Sequence, residues 1–191
     1  MQHIQFMYME SNIIKCKAIQ FLCFALFLLL GVTGLHAQNP KKYYTSIIQE
    51  NGILYFVKPE FSMGNRDHEL FFDLTYLSGN DTLTMNFSYI SKQLSPISQI
   101  SLISEDSRRT DATPDKIFVD SKKSTWTHRY SVKFSFDEMV SWLSEKDLPA
   151  LELKLSDGME YIKLSAKKKQ WNKNRDILMK IFSIIKANEG G

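Results

Sequence analysis

Hydrophobic and polar side chains alternate with a period of two residues through the middle of the chain. The alternation is clearest in three segments, 67–77, 82–90 and 126–136. In the second segment, Leu83, Met85 and Phe87 alternate with threonine, asparagine and serine. In the first, the polar face also carries Phe71. Such alternation predicts β-strands with one buried and one solvated face.

Turn-forming residues separate these strands. Asn51-Gly52 and Asp157-Gly158 suit the positive φ angles of a two-residue hairpin, and 78–81 predicts a longer hairpin. The polar segment 105–116 predicts a mobile loop between two weaker strands, 97–104 and 117–120. Short strands joined in this way predict a mainly β fold, either an antiparallel β-sandwich or a partly open barrel.

Two segments have the periodicity of a helix instead. Ser135 followed three residues later by Glu138 fits a capping box, which predicts a short helix to about residue 144. The segment 166–187 places its apolar residues in one broad sector and predicts a C-terminal amphipathic helix packed on the sheet. The sector contains Trp171, Ile177, Leu178, Ile181, Phe182, Ile184 and Ile185, with Asn174 among them.

The first 37 residues have the features of a secretory signal. The apolar run 21–30 follows Lys15 and Lys17, and Ala37 provides the small residue that a cleavage site requires. We therefore predict a cleavable signal peptide over 1–37 and a secreted or periplasmic protein.

A single β-rich domain is predicted for the mature chain, 38–191. Both cysteines, Cys16 and Cys23, lie within the predicted signal. Loss of the signal would leave a mature chain without thiols, which excludes disulfides, thiolate catalysis and cysteine-ligated metal.

His68 and His128 are the histidines of the predicted mature chain and its weak catalytic candidates. Imidazole titrates near neutral pH, so either could act as a general base. The carboxylates of Glu69 and Asp73 fall on the strand face opposite His68, so no metal site is predicted. The chain also lacks the nucleophile-elbow, phosphate-loop and calcium-loop motifs, and we predict no cofactor.

The C-terminal helix is strongly basic. Residues 167–187 contain seven basic side chains and one acidic one. Contact with a membrane surface could use four of the basic residues, Lys168, Lys173, Arg175 and Lys180. Docking of the helix on its own sheet is favoured, because the apolar sector is as wide as core-facing helices require. Nucleic-acid binding is not predicted, because the basic residues are not interleaved with exposed aromatic residues.

These patterns favour an exported, non-enzymatic binding or accessory module. Its contact surface would be a sheet face or the 105–116 loop, and its partner a protein, a peptide or a glycan. One alternative is a small exported hydrolase-like or metal-dependent enzyme centred on His68 or His128. The other is a membrane-surface protein that uses the 166–187 helix.

Overall fold

The computed structural model describes residues 39–156 and 160–189. The predicted signal peptide and the Asp157-Gly158 turn lie outside the described residues. The helices are a 3-10 turn at Pro40–Lys42, α1 (Phe136–Ser144) and α2 (Lys168–Glu189). The strands are β1 (Tyr44–Gln49), β2 (Gly52–Val57), β3 (Met63–Gly64), β4 (Glu69–Leu77), β5 (Thr82–Ser91), β6 (Ile97–Ile103), β7 (Arg109–Ala112), β8 (Asp115–Lys122), β9 (Thr125–Ser135), β10 (Ala150–Leu155) and β11 (Tyr161–Ala166).

All of these strands belong to one antiparallel sheet that curves into a half-barrel. The strand order is β7-β6-β10-β11-β3-β4-β5-β9-β8, with β2 also beside β4 and β1 outside β2. This confirms the predicted mainly β fold, with a partly open barrel, a short helix and a C-terminal helix. The predicted 78–81 hairpin is also present, between β4 and β5.

The alternating strands bury one face each, as their sequences predict. Along β5, Leu83, Met85, Phe87 and Tyr89 are buried, whereas the polar residues between them are partly exposed. The inner faces of β4 and β9 extend the same layer through directly opposed pairs. The core of the domain therefore lies on the inner side of the curved sheet.

The segment 105–116 is not a loop throughout, which corrects the prediction. β7 pairs with β6, and β8 pairs with β9. Only Thr113 and Pro114 separate β7 from β8, so one bent stretch of chain links the two ends of the sheet. The prediction failed because β7 carries polar side chains such as Arg109 and Asp111, and its strand conformation depends on backbone pairing with β6.

The first hairpin turns one residue earlier than predicted. Gln49 pairs with Gly52, so the turn consists of Glu50 and Asn51. Gly52 has φ +141°, and a Cβ there would lie 2.7 Å from Oγ of Ser78. The glycine is therefore needed because the chain passes close to the next hairpin in a conformation that other residues rarely adopt.

Both helices begin close to the predicted residues. The side chain of Ser135 accepts a hydrogen bond from the backbone N–H of Glu138 (3.5 Å), as expected for the cap of α1. α2 starts at Lys168 because the chain up to Ala166 remains in β11. Within 39–156 and 160–189, no helix has both the length and the hydropathy needed to cross a bilayer.

α2 is held against the sheet by its apolar side and by hydrogen bonds near both ends. Asn174 is buried, and its Oδ1 accepts from the backbone N–H of Glu60 (3.1 Å) while its Nδ2 donates to the carbonyl of Gln170 (2.9 Å). Glu60 lies in the bend between β2 and β3, which pair with opposite ends of β4. Near the C-terminus of α2, Nδ2 of Asn188 donates to the hydroxyl of Tyr55 (2.8 Å).

Replacing Asn174 should therefore destabilise the whole domain. Asn174→Ala leaves the backbone N–H of Glu60 without its acceptor, and we expect the free energy of unfolding to fall by about 1–3 kcal/mol. Urea denaturation followed by tryptophan fluorescence measures this change. Asn172→Ala, at an exposed position of the same helix, is the control and should change stability by less than about 0.5 kcal/mol. Equal effects of the two substitutions would contradict the role given to Asn174.

Candidate functional site

The structure places both candidate histidines beside Tyr89. His68 precedes β4 and is half-buried, and its Nδ1 lies 2.6 Å from the hydroxyl of Tyr89. The ring centroids of His68 and Tyr89 are 5.7 Å apart. His128, in β9, is fully buried, with its ring centroid 6.0 Å from that of Tyr89 and 6.3 Å from that of Tyr130. The two histidines share a tyrosine neighbour, but only His68 reaches solvent.

His68 lines an open cleft of about 500 Å³. The cleft contains charges of both signs, from Arg66, Asp67, Glu69 and Lys167. Burial raises the pKa of Tyr89 to about 12, so its hydroxyl is protonated at neutral pH and can donate to Nδ1 of His68. When the hydroxyl donates, a neutral His68 carries its ring proton on Nε2; in the other tautomer Nδ1 donates to the hydroxyl.

The cleft lacks the arrangement that nucleophilic catalysis requires. Among the described residues, no hydrogen bond joins the His68 ring to a carboxylate or to a serine hydroxyl. A base that activates a nucleophile normally lies within hydrogen-bond reach of it and is oriented by a third group. Groups of three or more potential metal ligands are likewise absent from 39–156 and 160–189.

His128 occupies a position in the core. Neither ring nitrogen has a hydrogen-bond partner of normal geometry within the described residues. Burial lowers the pKa of His128, and the charge of Lys116 adds to the decrease, while the backbone of Gln93 partly opposes it. The ring is therefore held in its neutral form and stacks parallel to Tyr130.

The basic residues of α2 lie away from the core. Lys168, Lys173 and Lys180 are exposed, whereas Arg175 is half-buried and forms an ion pair with Asp176 (3.2 Å). The apolar sector of the same helix is packed into the core. Contact of this helix with a membrane would depend on charge alone, because its apolar side is already covered.

The outer face of the sheet carries an unusual row of side chains. Phe71 pairs with Ser88, Ser88 with Arg129, and Arg129 with Phe118, across the four strands β4, β5, β9 and β8. Phe71 is 43% exposed and Phe118 is 49% exposed. With neighbouring strands about 4.8 Å apart, the two aromatic side chains are about 14 Å apart across the sheet. We call these four residues the aromatic row.

A hydrogen-bonded network fixes the centre of the aromatic row. Arg129 forms an ion pair with Asp73 through Nη2 (2.5 Å) and donates to Oγ of Ser88 through Nη1 (3.1 Å). Nδ2 of Asn86 donates to the other oxygen of Asp73 (3.1 Å). A guanidinium has five N–H donors, and the contacts within the described residues use two of them. The others can serve a bound partner.

The sequence contained only part of this site. Phe71 stands out as an aromatic residue on a polar strand face, and Arg129 falls on the wet face of β9. The sequence pattern could not assign Phe118 to a face of the sheet, because the register of β8 shifts between Lys116 and Phe118. An extra residue in a strand interrupts the two-residue period, so the outward direction of Phe118 follows only from the pairing with β9.

The buried neutral state of His128 predicts a specific dependence of stability on pH. The unfolded chain protonates this histidine near pH 6.5, above the lowered pKa of the folded state, so protonation favours unfolding. The free energy of unfolding should therefore fall as the pH decreases below 6.5. Urea denaturation between pH 7.5 and about 5.5 measures this slope. His128→Phe should reduce it, whereas His68→Gln should leave the contribution of His128 intact. An unchanged slope in His128→Phe would contradict the assignment.

Comparison with known proteins gives no functional information, so the proposals below depend on the geometry of the described residues. No protein family model, no curated protein and no solved structure matches the chain.

Proposed function

We propose that the protein is an exported, non-enzymatic binding module that recognises a partner protein through the aromatic row. The observation that carries this proposal is the pair of exposed phenylalanines, Phe71 and Phe118, on either side of the fixed guanidinium of Arg129. A solvated sheet face normally presents polar side chains, so the two phenylalanines supply apolar area where the strand pattern predicts polar residues.

A protein partner fits the chemistry of the row. Aromatic residues and arginine are enriched at protein interfaces and supply much of their binding energy. Phenylalanine offers apolar area without a polar tip, so hydrogen bonding would come from Arg129 and Ser88 at the centre. The ion pair with Asp73 holds Arg129 in place, which lowers the entropy lost when a partner binds. The partner surface would therefore have two apolar contacts around a hydrogen-bond acceptor.

The competing functions have weaker support. An enzyme centred on His68 would need a nucleophile or a metal beside the imidazole, and the cleft holds neither arrangement among the described residues. An enzyme centred on His128 would need access to a fully buried ring. Membrane contact through α2 would have the lysines of the exposed side but no apolar surface. The aromatic row combines exposure, two apolar side chains and a preorganised polar group.

Export should be visible as processing of the chain. When the full chain is expressed in an exporting bacterial host, we expect the mature protein to begin at Gln38, because Ala37 offers the small residue at the cleavage position. Mass spectrometry of the intact purified protein measures this. Leu28→Arg, which interrupts the apolar run, should leave the precursor uncleaved, and Lys41→Arg is the matched control. An intact N-terminus retained in the cytoplasm would contradict export.

Binding should depend on the two exposed phenylalanines. The tagged protein is incubated with the extracellular and periplasmic proteins of its own producing organism, and the retained protein is identified and purified. We expect the double variant Phe71→Ala/Phe118→Ala to bind that purified protein at least about tenfold more weakly, since truncation of an interface anchor costs about 1–2 kcal/mol. Isothermal titration calorimetry gives the dissociation constants.

The control is Leu148→Ala/Tyr161→Ala, which truncates two exposed apolar side chains elsewhere on the domain. It should bind as the wild type does. A partner bound equally by both double variants would contradict the proposal, as would a wild-type domain that retains no protein. Binding of a glycan that is lost with Phe71 and Phe118 would overturn the choice of a protein partner.

A further inference from the structure

Three strands pair with only one other strand among the described residues: β1, β7 and β8. A free strand edge can pair with another chain, and natural proteins usually block it with charges, bulges or short length. β7 has four residues and carries Arg109 and Asp111. β8 carries Lys116 and Lys122 and has a register shift at Ile117. Both of these edges are protected.

The edge of β1 has none of these protections. Its six residues, Tyr44–Gln49, contain no charge and no proline. Its pairing with β2 is regular from end to end, so no bulge turns it away from solvent. Ile47 is 49% exposed and Ile48 is 84% exposed. Among the described residues, this unprotected edge also carries the most exposed large apolar side chain.

The hydrogen bonds of β2 show which backbone groups of β1 are free. Ile53 accepts from the backbone N–H of Ser78 (2.9 Å) and donates to its Oγ (2.8 Å), on the side of β2 away from β1. Ile53 is opposite Ile48, so these two residues do not exchange backbone hydrogen bonds. The N–H and C=O of Ile48 therefore point to the free edge. Hydrogen-bonded and non-hydrogen-bonded pairs alternate along an antiparallel pair, so the N–H and C=O of Tyr44 and Ser46 point to the free edge as well.

We propose that β1 pairs antiparallel with β1 of a second copy of this chain, about a two-fold axis at Ser46. In this register the free N–H and C=O groups of the two β1 strands form hydrogen bonds with one another. Tyr44 of each copy lies opposite Ile48 of the other. Tyr44, Ser46 and Ile48 lie on one face of β1, in the order large, small, large. In the antiparallel pair each large side chain therefore lies opposite a large one, and the two small serines face each other at the axis. An aromatic residue opposite a β-branched one is a favourable cross-strand pair.

The chemistry of β1 favours a second copy over a foreign strand. An uncharged strand meets no like charge when it pairs with itself, whatever the register. On the other face, Thr45 lies opposite Ile47 of the second copy, which places two β-branched residues together. The interface is small, so we expect a reversible dimer with a dissociation constant on the order of micromolar. This dimer is independent of the aromatic row, which lies on β4, β5, β9 and β8.

Charge at the two-fold axis tests the proposal. Analytical ultracentrifugation of the purified exported protein should show a monomer–dimer equilibrium that depends on concentration. Ser46→Lys and Ser46→Glu each place two like charges opposite one another and should raise the dissociation constant by about tenfold or more. An equimolar mixture of the two variants should restore the dimer, because the opposed charges then attract. Ser121→Lys, at an exposed position of β8, is the control and should dimerise like the wild type.

Ser46 is exposed, and circular dichroism of each variant confirms that the domain is folded. A wild-type protein that stays monomeric at millimolar concentration would overturn the proposal. A monomer that instead binds an extended peptide of another protein through β1 would overturn it too. Dimers of unchanged strength in Ser46→Lys would overturn it as well. Failure of the mixed variants to dimerise would show that the strands do not meet at Ser46.

Discussion

Burial of the apolar side of α2 against the sheet is the interaction on which the rest of the structure depends. The half-barrel leaves its inner face open, and strands that bury only one face cannot be stable with that face in water. Trp171 and Phe182 reach from α2 to Phe61 and Phe136, with ring centroids 5.5 Å and 5.9 Å apart. The hydrogen bonds of Asn174 then connect the helix to the bend between β2 and β3. One helix therefore contacts both the core and the bend between β2 and β3.

Closure of the inner face decides which surfaces remain for function. Because the apolar side of α2 is buried in the core, the exposed side of the helix has lysines but no apolar surface that could insert into a membrane. Because the inner face is filled, His128 is neutral and inaccessible. Two of the surfaces left are the outer face, where Arg129 lies between two exposed phenylalanines, and the edge of β1. Both carry apolar side chains that folding of the single chain does not cover.

The polar centre and the apolar flanks of the aromatic row act together. Asp73, which itself accepts a hydrogen bond from Asn86, holds the Arg129 guanidinium near the sheet, so the remaining donors of Arg129 have a defined direction. Phe71 and Phe118 are too far apart to cover one another and stay exposed. A surface with fixed donors between separated apolar side chains would lose little conformational entropy on binding, which is the physical basis for proposing it as a recognition site.

The sequence by itself determined the local features: the alternating strands β4, β5 and β9, the capped helix α1, the docked helix α2 and the mainly β class. These depend on side-chain periodicity, which is visible without the fold. The tertiary structure decided what depends on pairing between distant segments. β7 became a strand through β6 although its side chains are polar, and the outward direction of Phe118 required the register of β8 against β9. Asn174 was visible as a polar residue in an apolar sector, but its partner Glu60, 114 residues away, could be identified only once the chain had folded.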